Sequence, residues 1–369
     1  MLGSSYLLAM PAPRAHADGG APNLAYIAGG GKGVIIFDVA QQKVTGDIAL
    51  GGDPFMLYLT LDGRFLYVAQ PGLNQVSMLN TSTQQVVCSA SIPGQPSLLA
   101  FDPGVNLLYV AGKGASTITA LAGNSCAIKK TIATRGPVYG LATAEVGAGP
   151  NGGTGNQLWF TTAGSLNVYT QPDKIQSIPI PGNPAYITIP PGATVYTATR
   201  QGTVMAVSLE TLQPTPPLLT GGDFGPMDFN TYTGEIYVPD KKHNVVDVLT
   251  PMYFGNTIPH EPEQAIQLAG PPQSVAITGD GNLGFFALAG GSVALFDIPG
   301  RQVSDTFTVG GSPRFIITGL YPPTIRNAPQ NNANGSPIPT TPLIFLALLA
   351  LLLLVVLALL ILLVRWRKE

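Results

Sequence analysis

The chain has 369 residues, only 10% of them charged, and a net charge of −2. That composition excludes a disordered chain, and without any cluster of Lys or Arg it also excludes a nucleic-acid-binding protein. The 44 Gly and 34 Pro fit a chain that turns every few residues.

Residues 1–17 read as a truncated signal peptide. An apolar patch, Tyr6-Leu7-Leu8-Ala9-Met10, precedes Ala15-His16-Ala17, which fits the small-x-small cleavage rule. The basic segment that opens such a signal is missing, so the true start is expected upstream of Met1.

Residues 18–320 carry a repeat. Aromatic anchors stand at Tyr26, Tyr67, Tyr109, Trp159, Tyr196, Tyr237 and Phe286, 37 to 50 residues apart. Between them fall Gly-Pro corners such as Gly52-Asp-Pro54, Gly94-Gln-Pro96 and Gly182-Asn-Pro184. Seven units of strand-like text at a period of roughly 40 residues predict an all-β, seven-bladed β-propeller. One unit reads clearly. Phe55–Thr60 is an apolar run and Phe65–Ala69 a second strand. Gln75–Leu79 alternates polar and apolar like a half-buried strand, and Gln85–Ile92 is the outermost. The turn after the third strand recurs at Asp38, Asn80, Thr170, Ser208, Thr250 and Asp297, whose side-chain oxygens can bond their own backbone.

Register predicts how the ring closes. The chain enters at Tyr26 with the second strand of a blade and ends with Arg314-Phe315-Ile316-Ile317 as an innermost strand. Blade 1 is then three N-terminal strands plus one C-terminal strand, a latch that hides the sheet edges. The two cysteines, Cys88 and Cys126, lie at different distances from their corners. That offset favours two unpaired small apolar side chains over a disulfide.

The stretches Leu66-Tyr67-Val68-Ala69 through Asn80-Thr81-Ser82-Thr83 to Ile92-Pro93-Gly94-Gln95-Pro96, and Leu108-Tyr109-Val110-Ala111, resemble the YVTN-type β-propeller repeat family. The resemblance covers about residues 24–320. It implies a ring akin to those of quinoproteins and lactonases, in a class common among exported and surface proteins. Blades 4 to 6 depart from the pattern, with Trp159 in place of Tyr, a short corner at Gly225-Pro226, and swollen loops. One of these is the Gly-rich run Val146–Gly155, which lacks the ending of a phosphate-binding loop.

Residues 321–342, rich in Pro and Asn, read as a flexible tether reaching about 25 Å as a random coil. Residues 343–364 are 22 residues without a charge. At about 1.5 Å per residue they predict a transmembrane helix. Arg365, Trp366, Arg367 and Lys368 follow, so residues 365–369 are expected as a cytoplasmic tail with the propeller on the extracytoplasmic side of the cell membrane.

Corners and second-to-third-strand loops share one face, the top. Lys32, Lys113, Arg135, Arg200, Lys241, Lys242 and Arg314 fall there, whereas the bottom leans acidic. The functional reading is a weakly basic top that receives an anionic or polar partner. The bland one is charges scattered on solvated loops. Lys241-Lys242-His243 is the densest basic spot. Arg314, Asp228, Tyr139, Tyr186 and Gln273 fall on or near inner strands, around the axis. An Asp–Arg couple there could polarise a substrate; the same residues could simply fill the channel.

His16, His243 and His260 are the only histidines, too few for a multi-histidine metal site. No nucleophile elbow and no heme attachment motif occurs, so no metal and no cofactor is expected. Two functions remain open. One is a binding or scaffold module for a surface protein or polysaccharide. The other is a lactonase-like hydrolase working in the channel. An electron-transfer subunit is a third, disfavoured by the lack of ligating His and Cys.

Overall fold

Alternating apolar and polar residues in each repeat resolve into four antiparallel strands, and the computed structural model holds seven such sheets. It describes residues 24–30, 33–60, 62–146, 155–170, 173–192, 194–254 and 258–318. The signal, tether, transmembrane and tail segments lie outside these residues, as do Lys32 and most of the Gly-rich run. Among the described residues no helix is long and apolar enough to cross a membrane.

In blade 2 the strands are Leu57–Leu59, Phe65–Gln70, Gln75–Asn80 and Gln85–Ser91, in that order from axis to rim. The turn after the third strand closes as expected, for Asn80 Oδ1 accepts the backbone N–H of Ser82 and of Thr83, each at 3.0 Å. Asp38 and Ser208 do the same in blades 1 and 5. The outermost strands are frayed toward water, with Val86 and Val87 about half exposed.

Closure follows the predicted register. Phe315–Thr318 pairs with Leu24–Gly30, so blade 1 is built from both ends of the described chain. Ser312 N–H donates to the Gly29 carbonyl at 2.7 Å. A Cβ on Gly29 would stand 2.0 Å from the Ser312 oxygen, and Gly29 has φ +88°, so glycine is required where the last segment crosses the first. Corners meet the second-to-third-strand loops, as Gly72 N–H to the Gly52 oxygen and Gly114 N–H to the Gly94 oxygen show. Both features therefore share one face.

The core lies between blades, in seven apolar seams. Each anchor from Tyr26 to Tyr237 fills the seam toward the next blade, and its apolar neighbours in the strand fill the preceding one. Blade 7 corrects the sequence reading. Phe285 occupies the seam toward blade 1, whereas Phe286 turns back toward blade 6. The anchor is thus Phe285. Successive strand residues point to opposite faces, so a one-residue shift exchanges the seams.

The cysteines are a second correction. Cys88 and Cys126 form a disulfide, with Cα atoms 5.9 Å apart. Unequal distances from the corners do not keep the two residues apart, because they do not lie in the same kind of element. Cys126 sits in the turn ahead of the blade 3 outer strand Ile128–Ala133. There it meets the blade 2 outer strand, and both residues pack on the seam between the two blades.

Candidate ligand-binding site

The seven innermost strands surround a cavity of about 510 Å³ on the ring axis. These strands range from Asp228–Phe229 and Leu57–Leu59 to the seven residues of Pro96–Asp102 and Gly140–Val146, and the inner edge of each faces the axis. Their inward positions are mostly apolar: Met56, Leu98, Leu141, Ile187, Val275 and Ile317 line the wall. A cavity of this size, apolar with a few polar groups, is of the kind that holds small molecules.

The top mouth carries cations set over aromatic rings. Arg200, in the loop after Thr194–Thr199 of blade 5, places its guanidinium carbon 3.9 Å from the Tyr139 ring centre of blade 4. The Lys241 ammonium of blade 6 is 6.0 Å from the Tyr186 ring of blade 5. Arg314 lies 5.8 Å from the Phe55 ring. In each pair one blade supplies the cation and its neighbour supplies the ring. Such contacts hold a cation in place without neutralising it. Lys113 of blade 3 completes the collar. Burial, helped by nearby Arg200 and Lys241, holds its ammonium below the usual lysine range. Cations of three blades thus share the top face, and Arg200 and Lys241 weaken the charge of Lys113 only through space. Among the described residues, none of the three has a carboxylate within 4.0 Å. Tyr186 is raised above the usual tyrosine value by burial and by Asp223, with Arg200 opposing.

The lower end holds Asp228. Its Oδ2 accepts the Ile277 N–H at 2.7 Å, from the innermost strand of the next blade. Burial pushes its carboxyl up to about 6, opposed by the N–H groups of Ile277 and Phe229. The residue lines the cavity and is half-buried. Beside it, Thr318 Oγ1 donates to the Ile277 carbonyl at 3.0 Å, tying blade 1 to blade 7.

Of the residues singled out in sequence, Lys241, Arg314, Asp228, Tyr186 and Gln273 all line the cavity. Tyr139 stands at the mouth beneath Arg200. The basic triplet does not act as a unit. His243 is bonded through Nδ1 to buried Asp240, and Lys242 Nζ donates to the Gly221 oxygen at 2.7 Å. Only Lys241 turns to the axis. Asp228 and Arg314 do not couple, because Arg314 is paired with Asp53 and Asp228 with backbone. Sequence reasoning placed Arg200 and Lys113 on the top face but not in a site. It passed over the apolar wall, whose inward residues read like any half-buried strand. Among the described residues no group of three His, Cys, Asp or Glu side chains converges as a metal site would require.

No protein-family model matches the sequence, and no curated protein matches it either. Solved structures do match. A functionally unknown protein of Desulfotomaculum acetoxidans aligns with TM-score 0.66 and 14% identity, over 80% of this chain and 99% of that one. Apo AztD of Citrobacter koseri aligns with TM-score 0.60 and 10% identity, over 80% and 97%. The dihydro-heme d1 dehydrogenase NirN in complex with DHE aligns with TM-score 0.57 and 15% identity, over 83% and 77%. At these identities the likeness is one of fold, and the fold is the seven-bladed β-propeller.

Proposed function

We propose that the protein is an extracytoplasmic binding module, held at the cell membrane by residues 343–364, that engages an acidic surface protein or polysaccharide through the top of its ring. The observation that carries this reading is the pair of cations Arg200 and Lys241, each set over a tyrosine ring of the neighbouring blade at the mouth. Among the described residues neither has a carboxylate within 4.0 Å, and Lys113 of a third blade stands on the same face. Like charges held together at a mouth attract anions and repel cations. The YVTN-type resemblance of the repeats agrees with a surface protein. The Cys88–Cys126 disulfide supports an oxidising compartment, in line with export. The hydrolase alternative finds less support. Asp228 is the one acidic side chain of the described cavity lining, and its oxygen is engaged in holding two blades together.

The test is retention of polygalacturonate, an acidic polysaccharide, against neutral dextran on the immobilised full chain. Selective retention, abolished in a Lys113→Glu, Arg200→Glu, Lys241→Glu variant and kept in Lys129→Glu on an outer strand, supports the reading. Equal retention of both polymers, or indifference to the triple exchange, sinks it.

A further inference from the structure

The mouth and the wall make different demands on a ligand. A polymer engaging the collar would leave a cavity of about 510 Å³ below it empty of partner. Its wall is built from Met56, Leu98, Leu141, Ile187, Val275 and Ile317, which make no use of charge. These residues come from six different blades, so the apolar surface runs around the axis. We infer that the axial cavity is a site for a small amphipathic organic anion, whose acidic head lies between Arg200 and Lys241 and whose apolar body fills the channel beneath. This rests on the reading of the mouth as an entrance for anions, but it needs no polymeric partner.

The geometry favours this class over its rivals. A wholly polar anion would give up its water against a wall that is largely aliphatic, with only scattered polar groups such as Ser97, Gln273 and Thr278 and with the Asp228 carboxyl at the lower end, which is unfavourable. A wholly apolar molecule would have to pass the collar and would gain nothing from it. A cationic amphiphile would be repelled at the top. An anion with an apolar body removes its own hydrocarbon from water and places its charge beside Arg200 and Lys241. Tyr139 and Tyr186 hold these two cations at the rim, so they need not be ordered on binding. Gln273, half-buried in the same wall, donates to the Pro271 oxygen at 3.2 Å.

Two fluorescent probes with the same aromatic body separate head from tail: 8-anilinonaphthalene-1-sulfonate, which is anionic, and N-phenyl-1-naphthylamine, which is neutral. The full chain is titrated in detergent, with the variants in the same detergent so that micelle partition cancels. The expected result is saturable binding of the sulfonate at one site. Arg200→Gln with Lys241→Gln weakens it about tenfold, the effect of two partly exposed charge contacts, and leaves the neutral probe unchanged. Gln273→Trp, which fills the channel and leaves the collar intact, abolishes sulfonate binding; polygalacturonate retention by that variant shows that it is folded. Sulfonate binding that is indifferent to Gln273→Trp, or no stronger than that of the neutral probe, overturns the inference. Polymer retention without any probe binding overturns this site alone. Loss of neither ligand on removing the collar overturns both readings.

Discussion

Cys88 and Cys126 covalently join blade 2 to blade 3, with Cα atoms 5.9 Å apart across a sequence separation of 38. Loop closure over such a span is worth up to about 4 kcal/mol of stability through the unfolded state. The paired exchange Cys88→Ser, Cys126→Ser is therefore expected to lower unfolding stability by about 2–4 kcal/mol, read by chemical denaturation. Protein exported by its host should migrate faster on a gel without reductant than with it. Equal mobility under both conditions would remove the bond and the support it lends to export.

Sequence made the ring legible because its signals are local and repeated. Period-two alternation, polar turn residues and Gly-Pro corners each report one short stretch, and seven copies reinforce one another. Even the latch was legible, since a chain that starts on a second strand and stops on an innermost one must join its ends. Three things were not. Phe285 and Phe286 are adjacent and chemically identical, so only the seam each fills tells them apart. The disulfide depends on how an outer strand crosses a neighbouring turn, which no count along the chain contains. The collar depends on loop conformation. Lys241 and Lys242 are neighbours in one loop, yet one faces the cavity and the other bonds Gly221.

Closure rests on few residues. Phe315–Thr318 supplies four backbone pairings to Leu24–Gly30 and a fully buried Ile316. Arg314 pairs with Asp53, adding a link from the last strand to the first corner. Removing the strand would expose the inner edge of blade 1 and open two seams at once. A chain ending at Gly311 is expected to lose most of the stability of one ending at Thr318, which for a domain is about 5–15 kcal/mol in all. Thermal unfolding of the two truncations compares them directly. Matching melting points would mean that the latch contributes little.

Glu235 and Arg301 link blades 6 and 7 at the bottom of the ring. The carboxylate is buried and also accepts from Thr233 Oγ1 at 2.9 Å and Tyr237 OH at 3.2 Å. Arg301, in the turn before the blade 7 outer strand, is held above the usual arginine range by the hydrogen bond and the charge of Glu235, which outweigh its burial. Removing the cation leaves a buried charge with only two hydroxyl partners. Arg301→Met is expected to cost about 2–4 kcal/mol, while Arg301→Met with Glu235→Gln costs less, because no buried charge is then left unpaired; Glu263, 3.8 Å from Arg301, is exposed enough to stay solvated. A double variant no more stable than the single one would contradict this account.

Asp228 gives the fold a pH dependence whose sign can be worked out. Its carboxyl titrates at about 6 in the folded chain and at 3.8 when unperturbed, chiefly because burial disfavours the charged form. Between those values the folded state holds a proton that the unfolded state has released, so stability falls as pH rises. The favourable contribution is fully present below the unfolded value and is lost once pH passes about 6. Partial contact with the cavity discounts the effect to about 1–3 kcal/mol. Asp228→Asn keeps an oxygen for the Ile277 N–H and removes the charge. It is expected to raise stability by about 1–2 kcal/mol at pH near 7 and to change little near pH 4. Lys241 and Arg314 are the other charged side chains that line the same cavity, at its other end. Denaturant unfolding at the two pH values reads the difference. A loss of stability near pH 7 would show that the ionised carboxylate is favoured where it lies, by a partner other than the two backbone N–H groups.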